Sequence, residues 1–397
     1  MTDAYLPLLL MLILIAGLTR DDFALTLIYL LVGAFLVGTW WSRRSLSQVR
    51  HTRKFSEHAF LGEKVQISLR VHNDGWLPVL WLNAQDALPV ALSSSPNFQQ
   101  VISLAPRAET NFTYTVNAAK RGYYPIGPFF ASTGDILGLN QPLRQENQVQ
   151  HLTVYPKIIP LASVKIPPRS PQGTLRHNQP IFEDPSRIFG KRDYVAGDSL
   201  RRVDWKSSDS TGRLQVKIFE PSIALETLIF LDLNPEAYHY KSRIDSTELA
   251  IVIAASVATW VAGKRQTVGL KVNGLDPLQP DGLPQYIPPR KGQAHLIRML
   301  EILARAEMDM GGASPIAAII QRQRFQLAWG TTLIVITGQA SDELLSELYQ
   351  ARRAGQNAVL ILAGTAKRAD QVATRAGFFG IPVVAIHNER GLDIWRK

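Results

Sequence analysis

The chain has no cysteine in its 397 residues. Disulfides, thiolate nucleophiles and cysteine-type zinc sites are therefore excluded, and redox usage says nothing about compartment. A phosphate loop is missing too: the glycine-bearing stretch "DMGGASP" lacks the Gly-Lys-Ser/Thr that would set a lysine on phosphates, so nucleotide hydrolysis has no basis here. The eight histidines are scattered, with no pair at ligand spacing on a helix. His72, His295 and His387 read as core or surface residues. Acid is outnumbered by base, giving a net charge of +10, but no basic patch is interleaved with aromatics as in a nucleic-acid module. Much of the surplus lies in residues 43–54 and 165–206. The length suits two or three domains, and 46% hydrophobic against 19% charged residues describes a globular protein with an apolar addition.

That addition is at the front. Ala4–Thr19 and Phe23–Trp41 carry no charge, and only Arg20, Asp21 and Asp22 lie between them. Two such runs predict a transmembrane helical hairpin over residues 1–42. Trp40 and Trp41 are expected at the headgroups. Arg43, Arg44, Arg50, Arg53 and Lys54 follow in a juxtamembrane segment over 43–58, with no acid among residues 42–54. The positive-inside tendency then places the soluble domains in the cytoplasm and both spans in the plasma membrane. A cleaved signal peptide is disfavoured, because "MTDAYLP" has no basic n-region.

Residues 59–156 alternate apolar and polar positions in short runs separated by Gly, Pro and Asn turns, predicting an immunoglobulin-like β-sandwich without a cysteine pair. Residues 157–180 form a proline-rich linker. Residues 181–222 are densely charged. Within them Arg192, Arg201 and Arg202 lie near Asp193, Asp198 and Asp204, a composition that favours pairing inside the segment. Trp205 is its lone tryptophan and the large apolar anchor of the stretch "SLRRVDWKSS". The segment reads first as a polar clamp with Trp205 packed on the domain, then as a docking surface. Catalysis comes last, for want of a nucleophile and base.

Arg192, Tyr194, Gly197, Asp198, Arg201, Asp204, Trp205, Lys206, Ser207, Leu214, Val216 and Glu220 form a pattern of Arg-x-Tyr, Gly-Asp, Arg, Asp-Trp-Lys and a later Glu. On these residues the chain resembles the domain of unknown function 58 family of bacterial membrane proteins. The likeness extends to the apolar front, to "KRGYYPIGP" and "GDILGL", and to the carboxy-terminal half. The resemblance implies a membrane-anchored protein with a von Willebrand factor A-like domain. It also implies MoxR-type AAA+ ATPases and transglutaminase-like membrane proteins as partners, and an activity largely unassigned.

Residues 223–397 alternate near-continuous apolar strands with amphipathic helices, predicting a parallel sheet covered on both faces, with ligands at the carboxyl ends of its strands. The metal site that the resemblance implies there needs an Asp-x-Ser-x-Ser loop, a threonine and a later aspartate around magnesium. This chain offers Asp232 and Asn234 in the first loop, Ser314 for the threonine and Gly338 for the last acid. That set is degenerate, so no cofactor is expected. The expected function is a membrane-anchored, non-catalytic scaffold or adaptor serving envelope protein assembly with a MoxR-type ATPase. The alternative is a metal-dependent hydrolase using the Asp198, Asp204 and Asp232 region.

Overall fold

The computed structural model describes residues 11, 13, 22–93, 97–135, 141–162, 183–195, 198–221, 226–279, 282, 284, 286–311, 314–365 and 369–395. Nearly all of the first apolar run, most of the proline-rich linker, residues 136–139 of "GDILGL", Gly197, and the side chains of Arg201 and Glu220 lie outside the described residues. The chain divides into two units, Met1–Lys157 and Ile158–Lys397.

In the first unit, helix α1 spans Asp22–Ser47. From Leu25 onward this helix is long and apolar enough to cross a membrane. Among the described residues ten strands follow: β1 (Val49–Lys54), β2 (His58–Phe60), β3 (Lys64–Asn73), β4 (Val79–Ala87), β5 (Asn97–Leu104), β6 (Glu109–Asn117), β7 (Gly122–Ile126), β8 (Phe129–Thr133), β9 (Leu143–Glu146) and β10 (Gln150–Tyr155). They form sheets ordered β1-β3-β6, β5-β4-β8-β9 and β2-β10-β7. β3 shows why the alternating pattern folds this way: Val65, Ile67, Leu69 and Val71 are buried, and their neighbours Lys64, Gln66, Ser68 and Arg70 are exposed. Leu69 and Val71 share a core with Leu82, Ala84, Phe129 and Ala131 of the β4 sheet, so two sheets pack face to face. Val65 and Ile67 join a second core with Ile126, Leu152 and Val154. Phe98 and Tyr114 pack against both cores.

The segment read as juxtamembrane enters this sheet structure, since β1 pairs antiparallel along β3 from Val49–Asn73 to Lys54–Ser68. Arg53 is consequently only 5% exposed. Its guanidinium meets Asp86 of β4, with Nε donating to Oδ2 at 2.8 Å and Nη2 paired to Oδ1. Charge composition could not distinguish this arginine from its exposed neighbours.

In the second unit, β11 (Glu183–Asp193) pairs antiparallel with β12 (Gln215–Pro221), and between them lie a short 3-10 turn (Leu200–Arg202) and helix α2 (Trp205–Thr211). The remainder comprises β13 (Glu226–Asp232), α3 (Arg243–Gly263), β14 (Thr267–Asn273), β15 (Ile287–Arg290), α4 (Gln293–Arg305), α5 (Ile316–Arg324), β16 (Thr332–Thr337), α6 (Asp342–Arg353), β17 (Asn357–Ala363), α7 (Ala369–Phe378) and β18 (Val383–Ile386). The sheet order is β15-β14-β13-β16-β17-β18. Leu228 and Phe230 of β13 face a core supplied by α5, α6 and α7. The alternate residues point the other way, and α3 covers that side, packing on β13, β14, β16 and β17. α3 passes the same length and composition test as α1, but it is the buried core helix of this sheet.

The sheet is mixed, which corrects the expectation of a parallel one. β15 runs antiparallel to β14. Its sequence, Ile-Pro-Pro-Arg, explains the placement: proline has no N–H for a ladder and is tolerated at an edge. A near-continuous apolar run was the signal for a buried strand, and an edge strand does not carry it.

Candidate functional site

The sheet reverses its winding between β13 and β16, and the carboxyl ends at such a switch point are where a doubly wound fold places its ligand site. Asp232 ends β13, Asn273 ends β14 and Thr337 ends β16. All three are buried, Asp232 to 3% exposure. Their polar atoms close on one another. Asn273 Nδ2 donates to Asp232 Oδ1 at 2.7 Å, the Asn234 N–H to the same oxygen at 3.1 Å, and Thr337 Oγ1 to Oδ2 at 2.8 Å. The Tyr238 hydroxyl donates to the Asp232 carbonyl at 2.5 Å, and the Leu233 N–H to Asn273 Oδ1 at 2.6 Å.

This set does not fit a divalent cation. Both carboxylate oxygens already accept from N–H or O–H donors, and a magnesium shell needs lone pairs aimed at the ion. Asn234 turns its side-chain oxygen to cap the Glu236 N–H at 3.0 Å. Ser314 is exposed, and its main-chain carbonyl accepts from Asn273 Nδ2 at 3.2 Å. At Gly338 a Cβ would lie 2.4 Å from Tyr238 Cδ1 and 2.5 Å from the Ala237 carbonyl oxygen. The tyrosine ring occupies the space an aspartate would need. Among the described residues no group of three His, Asp or Glu side chains is placed to hold a metal.

Burial pushes the Asp232 carboxyl up from its ordinary range, against the hydrogen bonds from Asn273, Thr337 and the Asn234 N–H. A carboxyl raised in the folded state binds its proton more tightly there. Stability therefore falls as pH rises from the unfolded value near ~3.9 through the raised folded one. Asp232→Asn removes that penalty and leaves every partner satisfied. The new amide oxygen accepts from Asn273 and the Asn234 N–H, and the amide N–H donates to Thr337 Oγ1, which already reaches the Gln339 carbonyl at 3.0 Å. Denaturant unfolding between pH 4 and 8 is expected to find the variant within about 1 kcal/mol of the parent, or above it, at neutral pH. The difference should close toward acid pH. A clear loss at pH 7 would mean that the ionised carboxylate has a bound partner.

The charged motif is a second cluster, built on the β11–β12 hairpin. Arg192 makes a two-pronged pair with Asp198, Nη1 to Oδ2 at 2.6 Å and Nη2 to Oδ1 at 2.7 Å, and the Val195 N–H donates to Oδ2 at 3.0 Å. Lys191 Nζ lies 2.8 Å from Asp204 Oδ2. Asp204 also caps α2, accepting from the Ser207 N–H at 3.3 Å. Hydrogen bonding to Arg192 holds the Asp198 carboxyl down at about 2, and Lys191 holds that of Asp204 down at about 2. Gly212 ends the helix in the left-handed conformation, at φ 63°. The Ser208 hydroxyl, accepting from the Gln215 N–H at 2.9 Å, fastens the helix to β12.

The pairing expected between arginines and aspartates is thus present at Arg192 and Asp198. The packing expected of Trp205 is not. Its residue is 66% exposed, with Val195 and Leu200 each at 61%; Val203 and Val216 are the buried apolar residues beneath. Trp205 is the first residue of a seven-residue helix whose inward side is taken by Ser208. Tyr194 is half-buried, its N–H donating to the Leu214 carbonyl at 2.8 Å, and Lys206 is exposed. The resemblance brought Asp232 to notice but missed Asn273, Thr337 and Tyr238. The available signal was that β14 and β16 each end in a hydrogen-bonding residue after an apolar run.

Residues 190–369 match the family described as "Protein of unknown function DUF58". The "Uncharacterized protein YeaD" of Bacillus subtilis (strain 168) is 23% identical over 326 residues, 81% of this chain and 76% of that protein. Among solved structures, an aerotolerance-related membrane protein from Bacteroides fragilis NCTC 9343 is 12% identical, with a TM-score of 0.31 over 43% of this chain and 94% of its own. Native alpha-2-macroglobulin from Escherichia coli, from domain MG7 to the C-terminus, is 18% identical, with a TM-score of 0.24 over 28% of this chain and 17% of its own. The Arg-x-Tyr, Gly-Asp and Asp-Trp-Lys motif opens that match, and the likeness to the DUF58 family rests on residues 190–369.

Proposed function

We propose that the protein is a membrane-anchored, non-catalytic adaptor that docks a partner on the β11–β12 hairpin, and that the partner is a MoxR-type AAA+ ATPase acting in assembly or maturation of envelope proteins. One observation carries the reading. Two pairs of charges in the segment are spent on one another, Arg192 with Asp198 and Lys191 with Asp204, and Trp205, Leu200 and Val195 are left facing solvent beside them. Tryptophan on a fixed frame is the kind of side chain that dominates interface energetics. The doubly wound order, with helices on both faces, supports treating the carboxy-terminal half as von Willebrand A-like. α1, followed by exposed Arg43 and Arg44, supports one membrane span with its carboxyl end in the cytoplasm, and the uncharged run Ala4–Thr19 is read as the second span. No observation favours the hydrolase, because Asp198 and Asp204 are each engaged by a cation and Asp232 by three donors.

The test uses the full chain in mild detergent and a purified MoxR-type ATPase, with ATP and ADP compared. Binding is expected in one nucleotide state. Trp205→Ala is expected to weaken it at least ~30-fold, as loss of an interface anchor does, and to leave stability within about 0.5 kcal/mol, because the side chain is exposed. Equal binding by the variant, or no binding with either nucleotide, would refute the docking role. Protease added to intact cells should spare both soluble units; trimming would refute their cytoplasmic placement.

A further inference from the structure

α1 is not free along its whole length. Its last turns are docked on β4 and β8. Gly38 approaches Asp135 so closely that a Cβ would lie 2.9 Å from the Asp135 Cβ. Trp41 Nε1 donates to the Pro78 carbonyl at 3.1 Å. Ser42, Ser45 and Leu46 are 1%, 2% and 4% exposed. Arg144 Nη1 reaches the carbonyls of Leu46, Ser47 and Val49 at 3.3, 3.1 and 2.9 Å, satisfying backbone groups at the helix end.

Protein therefore closes on the helix from Gly38 onward. The part left for lipid, Asp22–Val37, is about 24 Å long at about 1.5 Å per residue. A bilayer's hydrocarbon core is about 30 Å thick. The deficit is roughly one turn, and that turn is Gly38–Trp41. Its depth requires the β3–β4 loop, which carries Pro78, to lie at the level of the headgroups. The loop is firmly held there. Asn73 is fully buried and donates to the Leu77 carbonyl at 2.9 Å and the Ala105 carbonyl at 3.2 Å; the Gly75 N–H bonds Asn73 Oδ1 at 3.0 Å, and the Asp74 N–H bonds the Gln48 carbonyl beyond the helix end at 3.0 Å.

The side chains this loop turns outward suit that layer. Trp76 is 66% exposed and Leu80 45%, and Trp40 on the helix is 55% exposed. Trp41, expected at the headgroups, spends its indole N–H on Pro78 of this loop and so ties the loop to the helix at that level. Exposed Arg43 and Arg44 follow on the helix, one turn past the aromatic level, where anionic headgroups attract base. We propose that the β3–β4 loop and the first residues of β4, Asp74–Leu80, form a membrane-interface seat: Trp76, with Trp40 and Leu80, enters the headgroup layer of the bilayer that α1 crosses, and holds the β module on the lipid surface. The proposal rests on reading α1 as a membrane span.

The absence of cysteine makes the test direct. Leu30→Cys on the helix, Trp76→Cys on the loop and Val101→Cys on β5, each exposed in the parent, are labelled separately with an environment-sensitive fluorophore. The full chains are reconstituted in vesicles of phosphatidylcholine and phosphatidylglycerol. The probe at 30 is expected to be quenched by nitroxides deep in the acyl chains. The probe at 76 is expected to be quenched by headgroup nitroxides and protected from aqueous iodide several-fold relative to the probe at 101. A probe at 76 as open to iodide as that at 101, with the probe at 30 in lipid, overturns the seat and leaves the span standing. A probe at 30 in water overturns both.

Discussion

Replacing Arg53 or Asp86 with alanine lowers the unfolding free energy of the first unit by about 3–5 kcal/mol. The two side chains are 1% and 0% exposed. Besides its two contacts with Asp86, the guanidinium reaches the Ile126 carbonyl at 3.3 Å, and the Tyr114 hydroxyl donates to Asp86 Oδ2 at 2.6 Å. Burial and the neighbouring carboxylate push the Tyr114 phenol well above its ordinary value, so it remains a donor at any working pH. Removing either ion leaves the other buried without its counter-charge, which costs far more than the pair contributes. The diagnostic is the combined replacement: Arg53→Met with Asp86→Leu and Tyr114→Phe should recover most of the loss, because an apolar trio leaves no charge or hydroxyl stranded. Denaturant midpoints of the full chain in detergent, at unchanged m-value, measure it. A loss below about 1 kcal/mol for both single variants would show that water reaches the pair.

Gly338→Asp, which would rebuild the acid of the resemblance-implied metal site, is expected to cost at least about 3 kcal/mol and to confer no magnesium binding. The obstruction begins at Cβ, 2.4 Å from Tyr238 Cδ1 and 2.5 Å from the Ala237 carbonyl oxygen. Gly338→Ala should therefore be nearly as costly as the aspartate, a signature that separates a steric cause from charge burial. Adding Tyr238→Ala should recover only part of the loss, because the Ala237 carbonyl stays in place. Unfolding measurements on the three variants, with calorimetric titration of magnesium into the aspartate variant, decide it. A stably folded Gly338→Asp chain that binds magnesium would sink the account of this strand end as a closed hydrogen-bonded knot.

The legible parts of this protein were local. Alternation along Lys64–Asn73 announced a half-buried strand, and the uncharged run from Phe23 to Trp41 announced the helix that became α1. The apolar runs ending at Asp232 and Thr337 announced central strands. Within the motif, Arg192 and Asp198 are six residues apart, near enough for pairing to be read from composition. The edge strand Ile287–Arg290 was illegible because its prolines deny it the pattern by which strands are recognised.

The less legible features each depend on a partner far along the chain. Arg53 looks like its exposed neighbours Arg50 and Lys54 until Asp86, 33 residues later, is brought beside it. Trp41 looks like a freely exposed indole until Pro78, 37 residues later, takes its N–H. Trp205 looks like a core anchor until the small Ser208 fills the inward side of its helix and leaves the indole outside. Periodicity and hydropathy act through nearest neighbours on one element, so composition settles which elements form and that the front of the chain is apolar enough for a membrane. Burial and pairing belong to surfaces that meet only after long loops close. Packing alone determined which charges are enclosed, which tryptophan faces water, and why a tyrosine stands where a metal-site acid was sought.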